Sequence, residues 1–316
     1  MKSLIRVGAI LLVALSCYAA VVVLVFPNHA VRALIRVGEL KAGVKELSVS
    51  TDAYEHVSYY DNQVLDKPVL LMLHGITGSK ENWLDVAAEL KGYRVIAIDL
   101  IGHGKTKPQS LDYDYTVDAY VSFLHEVVDE LALTKFTLVG NSMGGLVAGK
   151  FAHKYPQFIE KIIFIDNAGI DSRLKTVALM EGLNENKNRY VVRSLDEFKY
   201  KLDLLFHKQP PLPKFVIRTV SKHFIELADL HQKLFDDLNK DGKAVGALEP
   251  YLKSLNMDVL IIWGKEDKVI HVSSIEKMQT EMPHARVHVF EQCGHVPMVE
   301  KPVETAQVMT DFLEGM

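Results

Sequence analysis

Three side chains in this sequence have the types and the chain order that nucleophilic hydrolysis needs: Ser142, Asp267 and His295. Ser142 lies in Gly140-Asn141-Ser142-Met143-Gly144, a G-x-S-x-G run. Between a strand and a helix such a run makes a tight, strained elbow, so small residues must flank the serine. The elbow holds the hydroxyl out at the C-terminal edge of a sheet. A helix N-terminus behind it favours developing negative charge. A serine hydroxyl also needs a base to take its proton. His295, in Cys293-Gly294-His295-Val296-Pro297, is the candidate base. Asp267, in Gly264-Lys265-Glu266-Asp267, is the candidate acid that would fix the histidine tautomer and stabilise the imidazolium.

Acyl transfer further requires donors for the oxyanion of the tetrahedral intermediate. The N–H of Met143, next to the nucleophile, is one candidate. The N–H of Ile76 in His74-Gly75-Ile76-Thr77-Gly78 is the other, with His74 read as bonding loop backbone. Rivals exist for two of the three roles. Asp166 follows an earlier strand-like run and could supply the acid, and Glu266 adjoins Asp267. His74, His103 and His271 also sit on plausible loops, but only His295 follows the last strand. No His/Cys cluster with zinc spacing, EF-hand loop or P-loop lysine is present, so no metal or cofactor is expected.

These residues need a scaffold that brings strand ends together. Short apolar runs at Val69–Leu73, Val95–Ile98, Phe136–Val139, Ile162–Ile165, Val259–Trp263 and Val287–Phe290 are bounded by Gly, Asp or Asn. Runs of that kind suit strands buried on both faces of a parallel sheet. Helices fall between them: one capped by Thr116, one over Gly144–His153, and one over 302–313. The pattern predicts an α/β fold, a mostly parallel central sheet with helices on both faces. Asp166 and Val259 are separated by about ninety residues without a convincing strand, far more than one crossover needs. Ser194-Leu195-Asp196-Glu197 is a capping box opening a helix with Phe198, Leu202, Leu205 and Phe206 on one face. An inserted helical cap at about 170–255 is expected, with those four as candidate substrate-binding residues. The alternative is a packed subdomain unrelated to substrate.

Composition sets outer limits. The 316 residues are 48% hydrophobic and carry a net charge of −4, which argues against a nucleic-acid partner. Cys17 lies in the first apolar run and Cys293 is the other cysteine, so no disulfide is expected within the remainder. Val7 to Phe26 is twenty residues without a charge. As a helix it would span roughly 30 Å, the thickness of a bilayer core. A single-pass N-terminal membrane anchor over 1–27 is therefore expected, with a cleaved leader as the alternative and the side of the catalytic domain open. Over 28–45 an amphipathic linker follows, in which Val31, Leu34, Ile35 and Leu40 alternate with Arg32, Arg36 and Lys41. It suits a lipid surface or the protein's own core equally. The catalytic domain is expected over 46–316.

The residues also resemble a known family. His74-Gly75, Asp99-Leu100-Ile101-Gly102-His103-Gly104, Gly140-Asn141-Ser142-Met143-Gly144-Gly145, Trp263-Gly264-Lys265-Glu266-Asp267 and Gly294-His295-Val296-Pro297-Met298-Val299-Glu300 are similar to the α/β-hydrolases. Within that fold the chain resembles cold-adapted bacterial lipases of the Moraxella and Psychrobacter type, and membrane-anchored monoacylglycerol lipases. The resemblance implies cofactor-independent hydrolysis of acylglycerols or other fatty-acyl esters, with no obligate protein partner. Gly-Asn-Ser-Met-Gly-Gly is also similar to carbon–carbon hydrolases of aromatic-ring degradation, which share triad and fold. A non-catalytic ligand receptor on the same fold is a third reading, since fold does not fix function.

Overall fold

The computed structural model describes residues 27–108, 110, 112–176, 180, 188–240 and 244–316. Eight strands form one sheet: β1 (Lys45–Val49), β2 (Val57–Asp61), β3 (Val69–Leu73), β4 (Arg94–Ile98), β5 (Phe136–Asn141), β6 (Ile159–Ile165), β7 (Asp258–Gly264) and β8 (Arg286–Phe290). Their spatial order is β1-β2-β4-β3-β5-β6-β7-β8. β2 runs antiparallel to both β1 and β4. From β4 through β3 to β8 every pairing is parallel. The helices in chain order are α1 (Pro27–Ala42), α2 (Leu84–Ala87), α3 (Val117–Glu130), α4 (Met143–Lys154), α5 (Leu195–Leu205), α6 (Lys214–Glu226), α7 (Ala228–Leu238), α8 (Ser274–Glu281), α9 (Pro297–Glu300) and α10 (Pro302–Leu313).

Successive strand side chains point to opposite faces, and here both faces are covered. Leu71 and Leu73, Leu138, Ile162 and Phe164, Ile261 and Trp263 join one buried cluster with α3 and α4. Their neighbours Leu70 and Met72, Val139, Ile163 and Ile165, Leu260 and Ile262 join a second with α2 and α10. That double burial is why the strands read as unbroken apolar runs. Each fully buried Leu, Ile or Phe contributes about 1.5–3 kcal/mol relative to exposure.

Helix starts follow local chemistry. Thr116 Oγ1 accepts the Ala119 N–H at 3.2 Å to cap α3. Ser194 Oγ accepts the Glu197 N–H at 3.2 Å to cap α5. The Glu197 carboxylate does not close the box on Ser194; it accepts the Arg193 N–H at 2.7 Å instead. Between β6 and β7 the described residues hold α5, α6, α7 and a short 3₁₀ turn at Glu249–Ser254, and no strand.

The expected membrane localisation needs correction. Among the described residues no helix is long and apolar enough to cross a membrane. Val7 to Phe26, on which that expectation was built, lies outside the described residues. The first described element, α1, packs on the protein itself. It leans against α2 and α6, and Tyr60 donates to the buried Glu39 at 2.9 Å. Ile35 packs against the second core cluster, whereas Leu34, Val37 and Leu40 are exposed.

Candidate active site

β5, β6, β7 and β8 are consecutive and parallel, so their C-terminal ends share one edge of the sheet. Ser142, Asp166, Asp267 and His295 lie on the segments that leave those four ends.

Ser142 joins β5 to α4 with φ 55° and ψ −120°. A positive φ at a residue with a Cβ is strained, by about 1–3 kcal/mol, and persists only where surroundings enforce it. Here the Ser142 N–H donates to the Ile165 carbonyl at 3.0 Å, and its own carbonyl accepts from Ala168 and Gly145, both at 2.9 Å. The Asn141 amide braces the turn by donating to the Ile165 carbonyl at 3.1 Å and the His295 carbonyl at 3.2 Å. Room is the other requirement. A Cβ on Gly140 would lie 2.4 Å from the Gly144 carbonyl oxygen, and one on Gly144 would lie 2.3 Å from that of Leu73. Both are backbone atoms of packed elements, so glycine is dictated at each.

His295 Nδ1 and Asp267 Oδ2 are 2.8 Å apart, and both side chains are buried. The other Asp267 oxygen accepts the N–H groups of Val269 at 2.7 Å and Ile270 at 3.0 Å, which fixes the carboxylate. Of the rival acids, Asp166 is wholly buried and accepts the Gly264 N–H at 2.9 Å. Burial first, and then the charge of Asp267, push its carboxyl well above the usual range. A shift in that direction favours the neutral carboxyl at Asp166. Glu266 braces the histidine loop by accepting the Cys293 N–H at 2.9 Å. Among the described residues, Asp166, Asp267 and His295 also form the one trio whose ligand atoms converge within 4.8 Å. His295 Nδ1 is already committed to Asp267 there.

The rival histidines are engaged otherwise. His74 Nδ1 donates to the Gly75 carbonyl at 2.7 Å, and its Nε2 accepts the Leu100 N–H at 3.0 Å. Burial lowers its affinity for a proton, in keeping with that neutral tautomer. His103 is similarly buried, with Nδ1 on the Ile101 carbonyl at 3.1 Å. His271 Nδ1 accepts the Ser273 N–H at 3.1 Å.

The loop carrying Ile76 turns at Gly75–Gly78, closed by the Gly78 N–H on the Gly75 carbonyl at 3.0 Å. A Cβ on Gly75 would come within 3.0 Å of Ser142 Cβ, so this loop lies directly against the serine. Its far end is pinned where Lys80 donates to Asp99 from both N and Nζ, each at 2.8 Å. Met143 begins α4, so its N–H is one of the four that a helix start leaves without an intrahelical partner.

Phe198, Leu202 and Phe206 are buried and Leu205 half-buried, all four against a cluster with Leu260, Cys293, Val296 and Met298. A cleft of about 710 Å³ opens between the cap and the Asp267 loop. Its cap wall is Tyr200, Asp203 and Leu204, and none of those four apolar residues lines it. Three contributors escaped sequence reasoning as individuals. Asn141 and Glu300 sat inside quoted motifs without a role. Glu300 accepts the Gly294 N–H at 2.8 Å and the cap's His207 and Lys208 N–H groups at 3.1 and 2.7 Å. Lys201, buried in the cap and bonded to Thr77, gave no signal, because a lysine in an amphipathic helix reads as solvent-facing.

Residues 68–302 match the family described as "alpha/beta hydrolase fold". The chain belongs to the α/β-hydrolase family. It is 30% identical over 285 residues to Lipase 3 of Moraxella sp. (strain TA144), spanning 90% of this chain and 89% of that one. It is 28% identical over 303 residues to the monoacylglycerol lipase ABHD6 of Homo sapiens, spanning 93% and 89%. Among solved structures it resembles a membrane phospholipase A described as a bacterial virulence factor. That match has a TM-score of 0.88 and 34% identity, and covers 100% of this chain and 99% of the other. This α/β-hydrolase is an enzyme, a serine hydrolase of the lipase/esterase type.

Proposed function

We propose that this α/β-hydrolase cleaves fatty-acyl esters, acylglycerols among them, through an acyl-enzyme on Ser142. The observation that carries the reading is the buried 2.8 Å contact between His295 Nδ1 and Asp267 Oδ2, on the sheet edge where Ser142 is held at positive φ. Asp267 keeps the His295 Nδ1–H in place, which leaves Nε2 as the base. Nε2 takes the Ser142 proton as Oγ attacks the ester carbonyl. The resulting oxyanion is met by the N–H groups of Met143 and Ile76. As the intermediate collapses, the imidazolium returns the proton to the leaving alcohol. Water, deprotonated in turn by Nε2, then releases the fatty acid and restores Ser142. The acyl chain is taken up along the seam between cap and body, to which Phe198, Leu202, Leu205 and Phe206 contribute, at up to about 0.8 kcal/mol per buried methylene.

Relatives named lipase and monoacylglycerol lipase support this substrate class. The test is labelling with a fluorophosphonate, followed by hydrolysis of glycerol esters of graded chain length. Stoichiometric label on Ser142, none on Ser142→Ala, and turnover of glycerol esters are expected. Absence of label on the folded protein would remove the triad. Turnover of a ring-cleavage dienoate with none of any ester would replace the substrate class.

A further inference from the structure

Lys201 lies in the middle of α5 and is 5% exposed. Among the described residues no carboxylate pairs with it, and burial is the one influence that moves its proton affinity. Its Nζ donates to Thr77 Oγ1 at 2.5 Å and to the Tyr190 carbonyl at 3.3 Å, and it stands 4.5 Å from the Phe224 ring centroid. A buried amine that meets no carboxylate among the described residues lowers stability, so this position is hard to explain as packing.

Its partner is unusual too. Thr77 has φ 58° and is the second central residue of the Gly75–Gly78 turn. Glycine or asparagine is the ordinary occupant where that position has a positive φ. A β-branched threonine is strained there. What threonine adds, and glycine lacks, is the hydroxyl that accepts from Lys201. The residue before it is Ile76, whose N–H is the assigned oxyanion donor, and Gly75, one residue earlier, lies against Ser142 with no room for a Cβ to spare.

Lys201 and Leu205 are four residues apart on α5, hence on one helix face. Leu205 accepts the His295 N–H through its carbonyl at 2.8 Å. One cap helix therefore touches both the loop of the base and the loop of the oxyanion donor.

We propose that Lys201 is a positioning residue: by holding Thr77 it fixes the Gly75–Gly78 turn, and so couples seating of the cap to formation of the oxyanion hole. This rests on the reading of Ile76 and Met143 as oxyanion donors. The effect falls on the transition state, where the oxyanion exists, and not on ground-state binding of the ester.

The experiment compares Lys201→Met, Thr77→Val, Thr77→Ser and the double variant Lys201→Met/Thr77→Val. Each is checked for folding by circular dichroism. kcat and KM are measured on a soluble nitrophenyl butyrate, together with inhibition by a trifluoromethyl ketone, which forms an oxyanion on the serine. Lys201→Met and Thr77→Val should each lower kcat about 10- to 100-fold and weaken the ketone by a similar factor, with KM within about threefold. The double variant should be no worse than the worse single one. Thr77→Ser, which keeps the hydroxyl, should restore both readouts. Lys201→Met with unchanged kcat and ketone affinity overturns the proposal, as does an equal loss in Thr77→Val and Thr77→Ser. Should Lys201→Met not fold, the valine–serine comparison at Thr77 decides alone. A failure of the underlying reading shows separately, as wild-type enzyme that the ketone does not inhibit.

Discussion

The carbonyl of Leu205, the last residue of α5, accepts the main-chain N–H of His295 at 2.8 Å. A cap residue thus shares a backbone bond with the residue assigned as general base. The neighbouring contacts repeat the theme. Glu300 binds the Gly294 N–H and, through the same carboxylate, the N–H groups of His207 and Lys208 in the chain leaving α5. The segment after α5 and the loop after β8 behave as one built unit.

Gly294→Ala tests that unit. An added Cβ would sit 2.5 Å from the Leu205 carbonyl oxygen and 2.7 Å from the His207 nitrogen, both backbone atoms. Either the cap chain or His295 must move. Overpacking of this kind costs about 1–3 kcal/mol of stability. Activity should fall about 100-fold or more, because small misplacements at a reacting centre are amplified. Thermal unfolding and kcat/KM on a soluble ester measure the two effects. Wild-type values for both would show that the loop yields freely.

Glu300→Gln keeps the shape and removes the charge. Hydrogen bonds to a charged group are each worth about 1.5–3 kcal/mol, and partial exposure of Glu300 reduces that figure. A loss of about 1 kcal/mol in urea unfolding is expected, with a drop of about tenfold in kcat. Activity equal to wild type would make Glu300 a bystander.

Among the acids, Asp267→Asn should cost on the order of 10⁴-fold in kcat, since the amide favours the wrong histidine tautomer. Asp166→Asn should stay within about tenfold. Burial, and then the Asp267 charge, push its carboxyl towards the neutral form, and asparagine copies a neutral carboxyl while keeping an oxygen for the Gly264 N–H. Reversal of that order in steady-state assays would assign the acid to Asp166.

Why some of this was legible and some not follows from where partners lie in the chain. The six apolar strands announced themselves because both faces are buried. β1 and β2 did not, since Lys45-Glu46-Leu47-Ser48-Val49 is an edge strand with mixed exposure. Val57–Asp61 is wholly buried yet carries Ser58 and Asp61, and Asp61 owes its place to a salt bridge with Arg94 at 2.7 Å. The places of Ser142, Asp267 and His295 at one sheet edge were legible because each follows a strand in a recognisable run. Lys201 was not, because Thr77 is 124 positions away in sequence. Glu300 meets His207 across 93 positions. Nothing local to either residue encodes such a contact. A burial pattern that depends on the cap docking is visible only once it has docked.

The buried amine of Lys201 also leaves a mark on folding that is separate from catalysis. Burial takes Lys201 from the ordinary 10.5 down to about 7. Three facing groups, the Thr77 hydroxyl, the Tyr190 carbonyl and the Phe224 ring, do not titrate in this window. Two others within electrostatic reach, His103 and His231, are themselves driven down by burial, His231 to about 3, and stay neutral across it. The sign follows from proton counts. Below about pH 7 folded and unfolded chains both carry the lysine proton, and the folded chain bears the whole cost of burying it. Between about 7 and 10.5 the unfolded chain binds a proton that the folded chain has released, so stability rises with pH. Above that range neither is charged and the rise stops. Lys201→Met lacks the group and lacks the rise. Urea unfolding of both proteins at pH 6, 7.5 and 9 reads it, since all other titrations cancel in the difference. The stability of wild type relative to Lys201→Met should grow from pH 7.5 to 9, and by less from pH 6 to 7.5. A difference that is flat across the range would mean that the amine keeps its ordinary proton affinity, and that the cap admits water to Lys201.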